Sequence, residues 1–147
     1  MTHDVLPESA IAFKAGAADW RDAVRASGDL LVASGATTDE YTDAMIAAVE
    51  ELGPYMVIAP GFALAHARPS EAVRRTGLSW VTLAEPVEFG SASNDPVDLV
   101  VGLASRDHDA HIQVMSKLAG VLANADTLAR LRASTDPAEI RAALLGE

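Results

Sequence analysis

Apolar residues along this chain follow two different periods, and the switch between them divides it into three parts. In the first part, Trp20, Ala23, Val24 and Leu31 recur at helical spacing, with Asp19 as an N-cap. This predicts a helix to about Ser34, interrupted by Gly28 and ended at Gly35. Thr38 with Tyr41 opens a second helix through Met45, Ile46 and Val49, which stops at Gly53-Pro54. Ahead of both, residues through Ser9 read as a loose lead-in and Ile11-Ala12-Phe13 as a short strand. The middle part loses the helical period. Tyr55 to Ile58, Phe62 to Leu64, Gly77 to Leu83 and Val97 to Leu103 are short apolar runs bounded by Gly and Pro. The last two runs are almost unbroken, which predicts strands buried on both faces of a sheet. The final third returns to helical spacing over about Asp107 to Ala123, Asp126 to Ala133 and Pro137 to Leu145. Helices, a sheet and then helices again predict an α/β layered domain.

Length and charge narrow the function. One domain spanning 1–147 fits the usual domain size, and half of the residues are apolar, ample for a core. Cysteine is absent, which removes disulfides, thiolate nucleophiles and Cys-ligated metals. Lys and Arg number 11 against 21 for Asp and Glu, a net charge of −10. That field repels phosphate backbones, so no nucleic-acid partner is expected, whereas a protein partner with a basic face would be steered toward it. No apolar run is long enough for a membrane span, and the N-terminus lacks the pattern of a signal peptide. A cytoplasmic location with no direct membrane insertion is the resulting expectation.

The candidate chemistry lies where the second run ends. In Ile58-Ala59-Pro60-Gly61-Phe62-Ala63-Leu64-Ala65-His66-Ala67-Arg68-Pro69, a histidine stands among small residues that leave its ring accessible to a large group. A neutral imidazole is a nucleophile near neutral pH, and the N–P bond that it forms is labile enough to be passed on. Arg68 supplies a cation able to hydrogen-bond phosphate oxygens. The alternative is a histidine simply satisfied by a nearby carbonyl. His111 lies near the start of the helix that opens around Asp107, on one face with Met115, Leu118 and Leu122. A phosphoryl group there would meet free backbone N–H groups and the positive end of the helix dipole. His111 could equally be a histidine at the core's edge with one hydrogen bond. His108 with His111 and His66 could chelate a metal, but no second shell supports that arrangement. His3 sits in the lead-in. A P-loop, G-x-G-x-x-G and G-x-S-x-G are all absent, which disfavours nucleotide hydrolysis, Rossmann-type redox chemistry and serine catalysis.

The segment from Gly53 to Pro69 resembles the phosphorylation-site region of enzyme IIA of the phosphoenolpyruvate-dependent sugar phosphotransferase system, in its mannitol/fructose-type superfamily. The Gly-Pro-Tyr opening and the His-Ala-Arg-Pro ending are most similar to the L-ascorbate branch. Pro86-Val87-Glu88-Phe89-Gly90, the following apolar run and Asp109-Ala110-His111-Ile112 come in the family's order. The resemblance covers the chain from about Ile11 onward. It implies a three-layer α/β sandwich with a mixed, roughly five-stranded sheet flanked by helices. It implies that His66 takes a phosphoryl group from the phosphocarrier HPr and gives it to the Cys of an enzyme IIB. That partner in turn serves the membrane permease, enzyme IIC. His111 would then stabilise the phosphate or the imidazole, and no metal or diffusible cofactor would be needed.

In two places the sequence departs from the family pattern. Ala65 stands where the family usually has Pro immediately before the active histidine, which predicts a less pre-organised loop. The stretch Ala48-Val49-Glu50-Glu51-Leu52 lacks the upstream Arg of the mannitol branch, leaving Arg68 to serve instead. A transport phosphocarrier is the leading expectation. A regulatory module whose phosphorylation state controls binding follows it, and a metal-dependent hydrolase built on the histidines comes last.

Overall fold

The computed structural model describes residues 6–53, 56–68, 70–106 and 108–145, with the backbone alone at His108, Ala110, His111, Leu122 and Leu145. The chain forms β1 (Ile11–Ala15), α1 (Trp20–Ala33), α2 (Asp39–Leu52), β2 (Val57–Ala59), β3 (Phe62–His66), β4 (Gly77–Val87) and β5 (Val97–Ala104). Three helices follow: α3 (His108–Leu122), α4 (Ala125–Ala133) and α5 (Pro137–Leu145). Five strands make one mixed sheet in the order β1-β4-β5-β3-β2. The β1–β4 and β3–β5 pairs are parallel, and the β4–β5 and β2–β3 pairs are antiparallel.

Strand alternation sorts the sheet's side chains into two apolar layers. Ala63 and Ala65 of β3, Val81 and Leu83 of β4, and Val100 of β5 face α1 and α2, meeting Val24, Leu31, Met45 and Val49. Phe62 and Leu64, Leu78 and Trp80, and Leu99, Val101 and Leu103 face the other way. They meet Leu118 of α3, Leu131 of α4 and Ile140 and Leu144 of α5. The result is the three-layer α/β sandwich expected from the sequence. Both long central strands are buried on both faces, which is why they read as continuous apolar runs.

Close approaches explain two glycines. A Cβ at Gly28 of α1 would stand 2.4 Å from the Thr42 Oγ1 of α2, so Gly28 lets those helices touch. A Cβ at Gly102 would stand 2.3 Å from the Ser79 Oγ, and Ser79 donates to the Ser27 carbonyl at 2.9 Å, joining the sheet to α1. Asp19 caps α1 as expected, accepting the Asp22 N–H at 3.0 Å. Thr38 begins α2 without a side-chain capping bond, and α2 stops at Gly53 in a positive-φ conformation.

Some expectations need correction. The residues before β1 are not wholly a loose lead-in: Leu6 and Ala10 are fully buried, and the Leu6 carbonyl accepts from Arg141 Nε at 2.9 Å. Tyr55, Asp107, Pro54, Pro69 and His3, on which other expectations fell, lie outside the described residues.

Candidate functional site

His66 is the last residue of β3 rather than a member of a loop. Its register partner is Leu103, one residue from the end of β5. The two strands are parallel, so their carboxyl ends share the sheet edge at which open α/β sheets place ligands. Alternation puts position 66 on the face of Phe62 and Leu64, the face that α3 covers through Leu118. The helix bearing His111 therefore lies on the same side of the sheet as the His66 ring. The His111 side chain itself lies outside the described residues, as does that of His108.

The imidazole of His66 is half-buried, and its Nδ1 lies 2.8 Å from the Leu64 carbonyl oxygen. A carbonyl can only accept, so Nδ1 carries a proton, and in the neutral ring the lone pair lies on Nε2. One backbone contact thus sets both the tautomer and the ring's orientation. The carbonyl-satisfied histidine and the nucleophile, which stood as alternatives in the sequence, turn out to be compatible. The carbonyl engages Nδ1 and so does not compete with a reaction at Nε2.

Ala65 belongs to this strand as well. It is fully buried and paired with Gly102, so its backbone is fixed by the sheet rather than by a proline ring. The sheet thus supplies a backbone restraint at the position where the family usually has proline.

The segment after His66 is fastened onto the turn between α1 and α2. Thr38 N–H donates to the Ala72 carbonyl at 2.9 Å, and Arg74 N–H donates to the Ala36 carbonyl at 2.8 Å. Arg75 reaches the Ser34 carbonyl at the end of α1, so it is a structural cation. At the near end of the segment, the Tyr41 hydroxyl accepts the Ala67 N–H at 3.0 Å and lies 2.7 Å from the Leu103 carbonyl. Sequence reasoning gave Tyr41 no role beyond opening α2. Its contacts lie 26 and 62 residues away along the chain, beyond the reach of any local pattern.

Arg68 is exposed, two residues past His66. Arg74 and Arg106 line an open pocket of about 550 Å³ with Ser70, Glu71 and Val73, and Arg106 donates to the Arg74 carbonyl at 3.1 Å. Among the described residues, Arg68, Arg74 and Arg106 form no ion pair with a carboxylate, whereas Arg21, Arg25, Arg130 and Arg132 each do. The guanidinium groups of Arg68, Arg74 and Arg106 lie in the segments that follow β3 and β5, and Glu71 shares the pocket with the last two of them. Arg106 had not been singled out in the sequence. The stretch Ala48 to Leu52 is the end of α2, where Glu50 pairs with Arg21 at 3.6 Å.

An imidazole oriented by a carbonyl at a sheet edge, with Arg68, Arg74 and Arg106 in the segments that follow β3 and β5, suits transfer of an anionic group. The comparisons with known proteins agree. Residues 4–146 match the family described as "Phosphoenolpyruvate-dependent sugar phosphotransferase system, EIIA 2". The "Ascorbate-specific PTS system EIIA component" of Shigella flexneri is 40% identical over 140 residues, covering 94% of this chain and 91% of that protein. The mannitol-specific cryptic phosphotransferase enzyme IIA from Escherichia coli has a TM-score of 0.85 at 29% identity, covering 97% of each chain. The mannitol enzyme IIA of Escherichia coli, solved in complex with phosphorylated enzyme IIB, has a TM-score of 0.82 at 30% identity, covering 95% of this chain and 96% of that one. The chain belongs to the EIIA 2 family of the phosphoenolpyruvate-dependent sugar phosphotransferase system, whose chemistry is phosphoryl transfer.

Proposed function

We propose that the chain works as one phosphocarrier domain in the cytoplasm, with His66 as its phosphoryl acceptor. The Nε2 lone pair attacks the phosphorus of phosphorylated HPr. An Nε2–P bond forms, the donor's N–P bond breaks, and the departing electron pair stays on the donor imidazole. In the second transfer, the Cys thiolate of an enzyme IIB attacks the same phosphorus. An S–P bond forms, and the Nε2–P electrons return to His66. The enzyme IIB then supplies the membrane permease, enzyme IIC. The names of the relatives favour L-ascorbate as the sugar class.

The observation that carries this reading is the contact from Nδ1 to the Leu64 carbonyl, which leaves Nε2 as the nucleophilic nitrogen. Arg68 is the proposed phosphate contact, supported by its exposure and its lack of an ion pair among the described residues. His111 is the proposed stabiliser of the phosphate or imidazole, supported by the placement of α3 over the His66 face of the sheet. Phosphoryl transfer needs mainly positioning and charge stabilisation, which these groups supply.

Incubation with phosphoenolpyruvate, enzyme I and HPr should label the wild-type protein with acid-labile, alkali-stable phosphate. His66→Ala should take up none, and His111→Ala should slow transfer onward to enzyme IIB. Label retained in His66→Ala would overturn the assignment.

A further inference from the structure

We infer that Tyr41 is a positioning residue for phosphoryl transfer, acting through a hydroxyl inserted into the sheet immediately beyond His66. The inference rests on His66 being the acceptor, as proposed above.

Along β3, successive N–H groups point to opposite neighbours. The Leu64 N–H points toward β2, donating to the Met56 carbonyl at 2.8 Å. The amides of Ala63, Ala65 and Ala67 therefore point toward β5. His66 is in register with Leu103, so the next rung of this parallel ladder would run from the Ala67 N–H to the Leu103 carbonyl. That rung is not direct. The Tyr41 hydroxyl stands in it, accepting from Ala67 N–H at 3.0 Å and lying 2.7 Å from the Leu103 oxygen. The Ala67 carbonyl is also near, at 3.1 Å, but a phenol has one proton and the nearer Leu103 oxygen takes it.

The inserted oxygen holds β3 and β5 farther apart than the about 2.9 Å of a direct N–H···O rung. It ends the ladder at His66 and sets the separation of the two strands at the reactive edge. Tyr41 is itself almost completely buried, anchored in α2 among Met45, Ala63 and Ala65 in the layer on the opposite face from the His66 ring. A rigid, buried phenol therefore fixes the residue after the nucleophile without occupying the space into which the phosphoryl group arrives. Without the hydroxyl, the rung either closes directly or stays open with an unsatisfied amide and carbonyl. Either change moves the backbone that carries the imidazole.

The test compares Tyr41→Phe with Ser79→Ala, which deletes a buried hydroxyl bonded to the Ser27 carbonyl away from His66. Both variants should fold. Tyr41→Phe should accept phosphate from phosphorylated HPr ~10-fold more slowly, because misplacing a reacting group by about 1 Å can cost as much as about 100-fold. The KM for HPr should be unchanged, and Ser79→Ala should transfer at the wild-type rate. Transfer by Tyr41→Phe within twofold of wild type would overturn the inference. So would an equal slowing in Ser79→Ala, since that would reveal only a general effect of destabilisation. If Tyr41→Phe fails to fold, amide exchange in the wild-type protein decides. An Ala67 amide protected like that of Leu64 supports the bridge, and one exchanging like that of exposed Arg68 removes it. Wild-type protein labelled at a residue other than His66 would instead overturn the functional reading beneath the inference.

Discussion

The two ends of β3 are held in different ways. At its start, Gly61 adopts φ +72°, donates to the Asn94 carbonyl at 2.8 Å and accepts from Asp98 and Leu99. Arg132 closes over this turn, reaching the Pro60 carbonyl at 2.9 Å and the Asp98 carboxylate at 2.8 Å. At its finish, where His66 stands, no carboxylate among the described residues joins the bonds that hold the strand. A neutral phenol bridges Ala67 and Leu103, and Arg68, Arg74 and Arg106, in the segments that follow β3 and β5, form no ion pair with a carboxylate among the described residues. The structural end uses charge to lock itself. The His66 end is locked without charge, which under the proposed function leaves its cations available to an incoming anion. An aspartate placed there as Asp98 is would compete with phosphate for the same guanidinium groups.

Substitutions at the two ends should therefore separate stability from transfer. The largest effect on stability is expected at Gly61. An alanine there would be held at positive φ, with its Cβ 2.0 Å from the Arg132 Nη2 before relaxation. Gly61→Ala should lose about 2–4 kcal/mol in denaturant unfolding. Its transfer rate per folded molecule should stay within twofold of wild type, and a selective loss of transfer would show that this end also serves the chemistry. At the opposite end, Arg68→Ala should slow phosphoryl acceptance ~10-fold, about 1.4 kcal/mol in the barrier. Its unfolding free energy should change by less than about 0.5 kcal/mol, as expected of an exposed side chain. Unchanged kinetics would remove Arg68 from the account. The smallest effect belongs to Arg132→Ala, which loses a half-exposed ion pair and one hydrogen bond to a carbonyl. It should cost about 1 kcal/mol in thermal unfolding and leave transfer untouched. A fall in transfer rather than stability would reverse the roles assigned to the two ends.

The layered fold was legible because burial leaves periodic traces. Leu78, Trp80 and Val81, or Leu99, Val100 and Val101, could read as continuous apolar runs only if both faces were covered. Asp19 and Gly53 marked helix ends through local backbone chemistry. His66 and Arg68 could be singled out because they lie two residues apart in one apolar stretch. What stayed hidden depends on contacts between distant segments. Ala65 looked like a loop residue until its pairing with Gly102 made it part of a strand. Leu6 has no apolar neighbour pattern of its own, and its burial comes from the helical layer on its side of the sheet. Tyr41 sits at a position that any amphipathic helix would fill with an apolar residue. Only its hydroxyl carries the message, and the hydroxyl's partners lie on β5 and just beyond β3.

The central claim is that the Leu64 carbonyl fixes the proton on Nδ1 and leaves Nε2 to carry the phosphoryl group. Nitrogen-15 NMR of the His66 ring, before and after phosphorylation by phosphoenolpyruvate, enzyme I and HPr, tests it directly. The account predicts a proton on Nδ1 before transfer and Nε2-phosphohistidine after it. A phosphate on Nδ1, or on any residue other than His66, would contradict it.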